Sequence, residues 1–235
     1  MTTPGDRAES GPATGRVRTY AGRQGSRSAL TRGRLERYLP SRGLPPGPLV
    51  PSEAFGREAP VVLEVGCGHG AAAIAYAASR PDHDVLAVDV HVPGVARMLA
   101  AAESAGVPNL RVEIGDAVEL LTDRVGDGRL AAVHLFFPDP WPKRGHVKRR
   151  FVQASTLDLL AARLVADGHV LVATDQLAYA EHVRSEVAAH GGFVVREVAR
   201  PAWRPVDGFE RKGLAAGRTI TDLRLDRRRP PAAED

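Results

Sequence analysis

From Val61 onward, short apolar runs alternate with longer helix-like segments, and this alternation constrains the fold more than any other feature of the chain. The apolar runs fall at 61–65, 84–90, 109–114, 130–137, 168–174, 192–198 and 219–225. Helix-like segments at 70–79, 92–105, 116–124, 150–166 and 176–190 separate the first six. Parallel strands need crossovers of helix length and are covered on both faces, so the pattern predicts an α/β fold with a mostly parallel, seven-stranded sheet. Only a loop at 199–218 is expected between the last two runs. The final strand should therefore pair antiparallel.

A length of 235 residues suits one such domain with tails. Residues 1–28 carry Gly, Ser, Thr, Arg and Pro with almost nothing apolar, and are expected to form a disordered basic arm. A short helix around Leu30 to Leu39 and a Pro- and Gly-punctuated linker should occupy 29–59, the regular domain 60–228, and a flexible tail 229–235. No stretch approaches the roughly 18 apolar residues of a membrane span, and the N-terminus lacks a signal-peptide core. With a single cysteine, Cys67, the chain is expected to be cytoplasmic, as a monomer or a homodimer.

The run Val61-Val-Leu-Glu-Val-Gly-Cys-Gly-His-Gly70 leads a strand into a glycine turn that opens a helix of small residues. Glycines there allow a tight turn and let a ligand approach the backbone. Gly66, Gly68 and Gly70, with Ala71 behind them, also satisfy a dinucleotide fingerprint, so the turn alone leaves a dehydrogenase open. Three acids discriminate. Glu64 lies inside the first strand, where a nicotinamide cofactor has no use for a carboxylate but a cationic methionyl group does. Asp89 ends the second strand, where a ribose acceptor belongs, and Asp116 follows the third, where an adenine could be positioned. Together Glu64, Gly66, Gly68, Asp89 and Asp116 point to S-adenosylmethionine. No spacing of His69, His91 or His146 suits a metal.

Residues 136–150 read Phe-Phe-Pro-Asp-Pro-Trp-Pro-Lys-Arg-Gly-His-Val-Lys-Arg-Arg. Pro138 and Pro140 restrict the backbone on both sides of Asp139, at the end of a strand, which suits a carboxylate that must orient something. Trp141 could stack on a base or wall a pocket. Lys143, Arg144, Lys148, Arg149 and Arg150 follow with no acid among them, and eight arginines stand between Met1 and Pro40 against three acids. Clustered cations fit the phosphates of a nucleic acid better than the net charge of +4 suggests.

These residues resemble the bacterial tRNA (guanine-N7)-methyltransferases. The resemblance is carried by Leu63-Glu-Val-Gly-Cys-Gly-His-Gly70, by Phe136-Phe-Pro-Asp-Pro-Trp141 with Lys143 and Lys148-Arg-Arg150, by Ala173-Thr-Asp175, and by Phe209-Glu210 before Asp222-Leu223. Arg23-Gln24-Gly25 is a weaker match to the family's N-terminal arm. The resemblance implies a Rossmann-like class I methyltransferase fold with 60–228 as the catalytic domain, S-adenosylmethionine as donor, and guanine of the tRNA variable loop, usually position 46, as acceptor. It further implies that Glu64, Asp89, Asp116 and Asp139 bind the cofactor, that Asp139 is catalytic, and that Lys143, Asp175 and the segment Asp207-Gly208-Phe209-Glu210 contact substrate. Asp207 and Gly208 depart from the family's hydroxyl and cation, and Val147 from its usual asparagine.

The chemistry agrees independently. Guanine N7 carries an in-plane lone pair and no hydrogen, so it can attack a sulfonium methyl without a strong base. A nearby carboxylate such as Asp139 then serves to align the reactants and stabilise positive charge developing on the purine, while Asp175 and Glu210 could accept from the guanine N–H groups. The alternatives are a methyltransferase acting on another substrate, which leaves the basic loop unexplained, and a noncatalytic tRNA-binding protein, which leaves the cofactor acids unexplained.

Overall fold

The structure is a computed structural model that describes residues 19–20, 28–206 and 208–228. Seven strands, β1 (Val61–Val65), β2 (Asp84–Asp89), β3 (Leu110–Ile114), β4 (Leu130–Phe136), β5 (Leu164–Thr174), β6 (Phe193–Glu197) and β7 (Thr221–Arg227), form one sheet in the order β3-β2-β1-β4-β5-β7-β6. The first five pair in parallel, and β7 runs antiparallel to both β5 and β6. All of β1 and the first five residues of β2 are buried, which is why these strands read as unbroken apolar runs. The strand order reverses between β1 and β4, and in open α/β sheets the crevice at the carboxyl ends of such a pair is where ligands bind.

Helices α3 (Ala71–Ser79), α4 (Val92–Ser104), α5 (Ala117–Asp123), α6 (Ala154–Arg163) and α7 (Leu177–His190) cross over between successive strands. They split the core into two layers. Val62, Val85, Ala87 and Ala132 pack on one face with Ala73, Met98 and Leu99. Leu63, Leu86, Val133 and Val172 pack on the other with Leu121, Leu157 and Tyr179. Two N-terminal helices precede the sheet, α1 (Ala29–Arg42) and α2 (Pro51–Phe55). Ser28 caps α1 by accepting from the Thr31 amide at 3.2 Å, and the buried Arg42 guanidinium ties its last turn to the Val107 carbonyl at 2.7 Å.

Three expectations need correction. The short helix of 30–39 extends to Arg42, and the linker contains α2. The helix expected over 150–166 begins only at Ala154, where Gln153 and Thr156 form a capping box, and it stops at Arg163; Arg144–Arg149 is a separate 3₁₀ turn. The loop of 199–218 contains an eight-residue helix, α8 (Gly208–Ala215), which hydrophobic periodicity did not signal because six of its eight residues are exposed. The expected N-terminal arm, including Arg23-Gln24-Gly25, and the tail 229–235 lie outside the described residues except for Thr19, Tyr20 and Ser28.

Candidate active site

Three consecutive turns at the carboxyl ends of β1, β2 and β3 make one wall of the crevice. Gly66, Gly68 and Gly70 all have left-handed φ, 72°, 55° and 78°, a region that side chains with a Cβ resist. A Cβ on Gly66 or Gly68 would meet nothing within 4 Å, so the turn opens onto space beside its backbone. At Gly70 the constraint is packing as well, since a Cβ would fall 2.0 Å from Met98 Cγ. Asp89 holds this turn to β2: its Oδ2 accepts from the Gly68 amide and its Oδ1 from the His91 amide, each at 2.7 Å. Each oxygen retains a second lone pair for a ligand hydroxyl.

Glu64 is 3 % exposed on β1, in register with Ala87 and His134. Burial first, then the negative charges of Asp89 and Glu64, push the Cys67 thiol up, so Cys67 is no nucleophile and the turn lies in a negative field. Asp116 is buried and caps α5, its Oδ1 accepting from the Val118 amide at 2.7 Å. Glu64, Asp89 and Asp116 thus stand at or near the carboxyl ends of three adjacent strands. A buried carboxylate, an open glycine turn and an acid with spare lone pairs fit a ligand with a cationic methionyl end and a ribose.

The second wall is the loop after β4. Phe137 and Trp141, at the two ends of Phe137-Pro-Asp-Pro-Trp141, both have left-handed φ, 50° and 41°. Each such residue stores about 1–3 kcal/mol and persists only where its surroundings enforce it. Here the enforcement is visible. The Phe137 amide donates to the Ala173 carbonyl of β5 at 2.8 Å, and the buried Arg150 guanidinium donates to the Pro140 carbonyl at 2.9 Å. Asp139 is left exposed at the tip between these anchors. The end of β4 that leads into this loop carries an aromatic cluster in which the His134 ring stacks on Phe136 and Trp203, and Tyr76 meets His134 and Trp203 edge-on. Burial holds His134 down to about 3, so it is neutral at physiological pH.

The basic residues after Trp141 divide. Lys143, Arg144 and Lys148 are exposed. Arg149 lies 3.8 Å over the Trp141 ring and donates to the Tyr20 carbonyl at 3.0 Å, while the Trp141 indole donates to the Thr19 carbonyl at 3.2 Å. Arg150 is 7 % exposed, so the expectation that it contacts phosphate is corrected: it is a strut for the Asp139 loop.

The substrate-side residues divide as well. Asp175 follows β5 and carries Arg218 on its Oδ2. Gly208 and Phe209 are exposed on α8, whereas Glu210 is 2 % exposed and ion-paired with Arg200 at 2.9 Å. Its ion pair ties Glu210 into the packing of α8, and Asp207 lies outside the described residues. Sequence reasoning missed Arg204 altogether. Fully buried, it straddles both oxygens of Asp222 at 3.0 Å, lies 3.7 Å from Glu210, and stacks its guanidinium 5.0 Å from the Phe136 centroid and 5.6 Å from that of Phe137. It therefore joins β7, α8 and the root of the Asp139 loop; no motif flags it, because the flanking Trp and Pro read as an ordinary loop.

A strand order of this kind, with a glycine turn and an acid at each of three adjacent strand ends, defines a Rossmann-like class I methyltransferase. Residues 58–223 match the family profile described as "Putative methyltransferase". The chain is 41 % identical to the tRNA (guanine-N(7)-)-methyltransferase of Yersinia enterocolitica, covering 94 % of this chain and 95 % of that protein. It is 38 % identical to the protein of the same name from Saccharophagus degradans, covering 90 % and 95 %. Among solved structures, the 16S rRNA methyltransferase KamB superposes with a TM-score of 0.57 at 18 % identity, over 81 % of this chain and 99 % of that one. A 16S rRNA (adenine(1408)-N(1))-methyltransferase variant from Catenulisporales acidiphilia, with cosubstrate SAM, superposes with a TM-score of 0.53 at 20 % identity, over 78 % and 92 %. The two superpositions establish the fold; the matches along the sequence establish that the chain belongs to the tRNA (guanine-N7)-methyltransferase family.

Proposed function

We propose that this protein transfers the methyl group of S-adenosylmethionine to N7 of guanine in tRNA, at position 46 of the variable loop. The observation that carries the reading is Asp139, held at the switch-point crevice between two left-handed residues, in a chain alike over nine-tenths of its length to proteins named for this reaction. Residues 60–228 form the catalytic unit. Glu64, Gly66, Gly68, Asp89, Asp116 and Asp139 bind the cofactor, which when bound supplies an electrophilic methyl on a sulfonium centre.

The protein's part is placement and charge. Glu64 and Asp89 set the negative field that suits the cationic end of the cofactor. Asp139, exposed on a braced loop, would face the purine whose N7 lone pair takes the methyl group that the bound cofactor would supply from its sulfonium. The purine becomes cationic and no proton leaves N7, so a fixed carboxylate stabilises the developing charge without acting as a base. Asp175 accepts from the guanine N–H groups, and Lys143, Arg144 and Lys148 lie where phosphates of the RNA can reach them. The exposed face of Gly208 and Phe209 completes the substrate side, and Glu210 supports it from below.

Asp139→Asn tests the assignment, because it keeps the shape of the loop tip and removes the charge. Single-turnover methyl transfer should fall by about 100-fold or more, the scale of losing one preorganised electrostatic group. Turnover near the wild-type rate contradicts the role given to Asp139.

A further inference from the structure

We propose that Arg218 stands in for the substrate base at Asp175 while RNA is absent, and so sets how tightly the site takes its guanine. The inference rests on the reading of Asp175 as the carboxylate that receives the guanine edge. Asp175 leaves β5 directly beside the Asp139 loop, whose Phe137 amide is bonded to Ala173 two residues earlier. Its side chain is 16 % exposed and closely surrounded. A Cβ on Gly213 of α8 would fall 2.9 Å from Asp175 Cβ and 3.0 Å from Oδ2, so α8 lies flush against one side. The Gln176 side-chain amide donates to Oδ1 at 3.1 Å on another. On the remaining side Arg218 brings two donors to Oδ2, Nε at 2.8 Å and Nη2 at 2.7 Å.

The identity of that occupant is informative. Guanine's Watson–Crick edge, N1–H and the N2 amino group on one carbon, is itself a guanidine fragment, and it presents the same adjacent pair of donors as Arg Nε–H and Nη2–H. Adenine and cytosine place an acceptor beside their amino group, and uracil offers a single N–H between two carbonyls. A carboxylate oxygen that takes two guanidinium donors is therefore suited to the two donors of guanine, and the two compete for Oδ2. Arg218 has a side chain 41 % exposed, so its hold on Asp175 is that of a partly solvated ion pair, and displacing it weakens RNA binding by about two- to five-fold.

The test is equilibrium binding of an unmodified tRNA transcript to the full chain at about 0.3 M salt, where the long-range effect of one lost charge is screened. Arg218→Ala should bind about two- to five-fold more tightly than wild type, with Arg218→Lys, which keeps the charge but not the two-donor fork, in between. In an Asp175→Asn background the same substitution should change nothing. A variant that binds more weakly makes Arg218 a phosphate or structural contact and overturns the proposal, as does an unchanged affinity or an effect that survives without Asp175. Methyl transfer by the wild type in the same preparation scores the underlying reading separately: no methylation of guanine overturns both, whereas guanine methylation with looser binding by Arg218→Ala overturns the stand-in role alone.

Discussion

Replacing Arg204 by Met should be among the most damaging single changes available in this fold. The guanidinium is 1 % exposed and its Nη2 lies 3.0 Å from both carboxylate oxygens of Asp222, itself nearly buried. Its Nε and Nη1 have no hydrogen-bond partner among the described residues and lie against the faces of Phe136 and Phe137. Removing one partner of a buried pair costs about 3–5 kcal/mol, because the other charge stays behind. Glu210 keeps Arg200, so the loss falls on Asp222 and should lie at the lower end, about 3 kcal/mol. Burial already raises the Asp222 carboxyl above its ordinary value of 3.8, opposed mainly by Arg204, and without the guanidinium it rises further. A carboxyl raised on folding gives its full stabilisation below the unfolded value and loses it as pH climbs through the folded one. The penalty should therefore be smaller at pH 5 than at pH 8, and Asp222→Asn added to the variant should recover part of it. Urea unfolding at the two pH values, read from the midpoint at constant slope, measures this directly. A loss under about 1 kcal/mol, or one equal at both pH values, means that Arg204 does not hold the Asp222 charge in this way.

The other expectations concern separate parts of the site. His134 is held down to about 3, below its ordinary 6.5, so the stability tied to its neutral form is present above pH 6.5 and drains away as pH falls toward 3. His134→Phe should flatten the acid side of the stability curve by about one proton, roughly 1.4 kcal/mol per pH unit, while His169, which burial holds to about 4, and His83 and His182, which burial also lowers, keep contributing slope; an unchanged slope in thermal melts across pH rules this out. Gly70→Ala combines a left-handed φ with a collision on Met98 and should lower both the melting temperature and cofactor affinity, whereas normal cofactor binding by calorimetry contradicts the packing of the turn. Replacing Lys143, Arg144 and Lys148 by Ala should reduce the slope of log affinity against log salt for tRNA by about 0.7–0.9 for each phosphate that is no longer neutralised. Arg150→Ala should leave that slope alone and slow methyl transfer, because it frees the Pro140 carbonyl instead of a phosphate.

Much of the fold is written in the chain because hydrophobic runs and crossover lengths are local signals. The five parallel strands, the antiparallel last one and the glycine turn all follow from them. What escaped is tertiary. Lys148, Arg149 and Arg150 are equivalent as text, yet one is exposed, one stacks on Trp141 and one is buried under Pro140; which cation turns inward depends on carbonyls supplied by distant turns. Helix α8 carries too little apolar periodicity to declare itself and is held by the ion pairs of Glu210 and by Asp175 against Gly213. The prolines around Asp139 announce a stiff loop, but not that Phe137 and Trp141 take left-handed conformations, which comes from the β5 carbonyl and the Arg150 strut. Glu210 illustrates what a motif leaves out: its position transfers, while its burial and its ion pair with Arg200 come from tertiary packing.

Methylation of guanine 46 is measured by incubating the protein with labelled S-adenosylmethionine and unmodified tRNA transcripts that carry either guanine or adenine at position 46, followed by nuclease mapping of the product. Label is expected in 7-methylguanine at position 46 of the first transcript and not in the second. Label at any other position or atom, equal labelling of both transcripts, or no transfer to the guanine-46 transcript would contradict it.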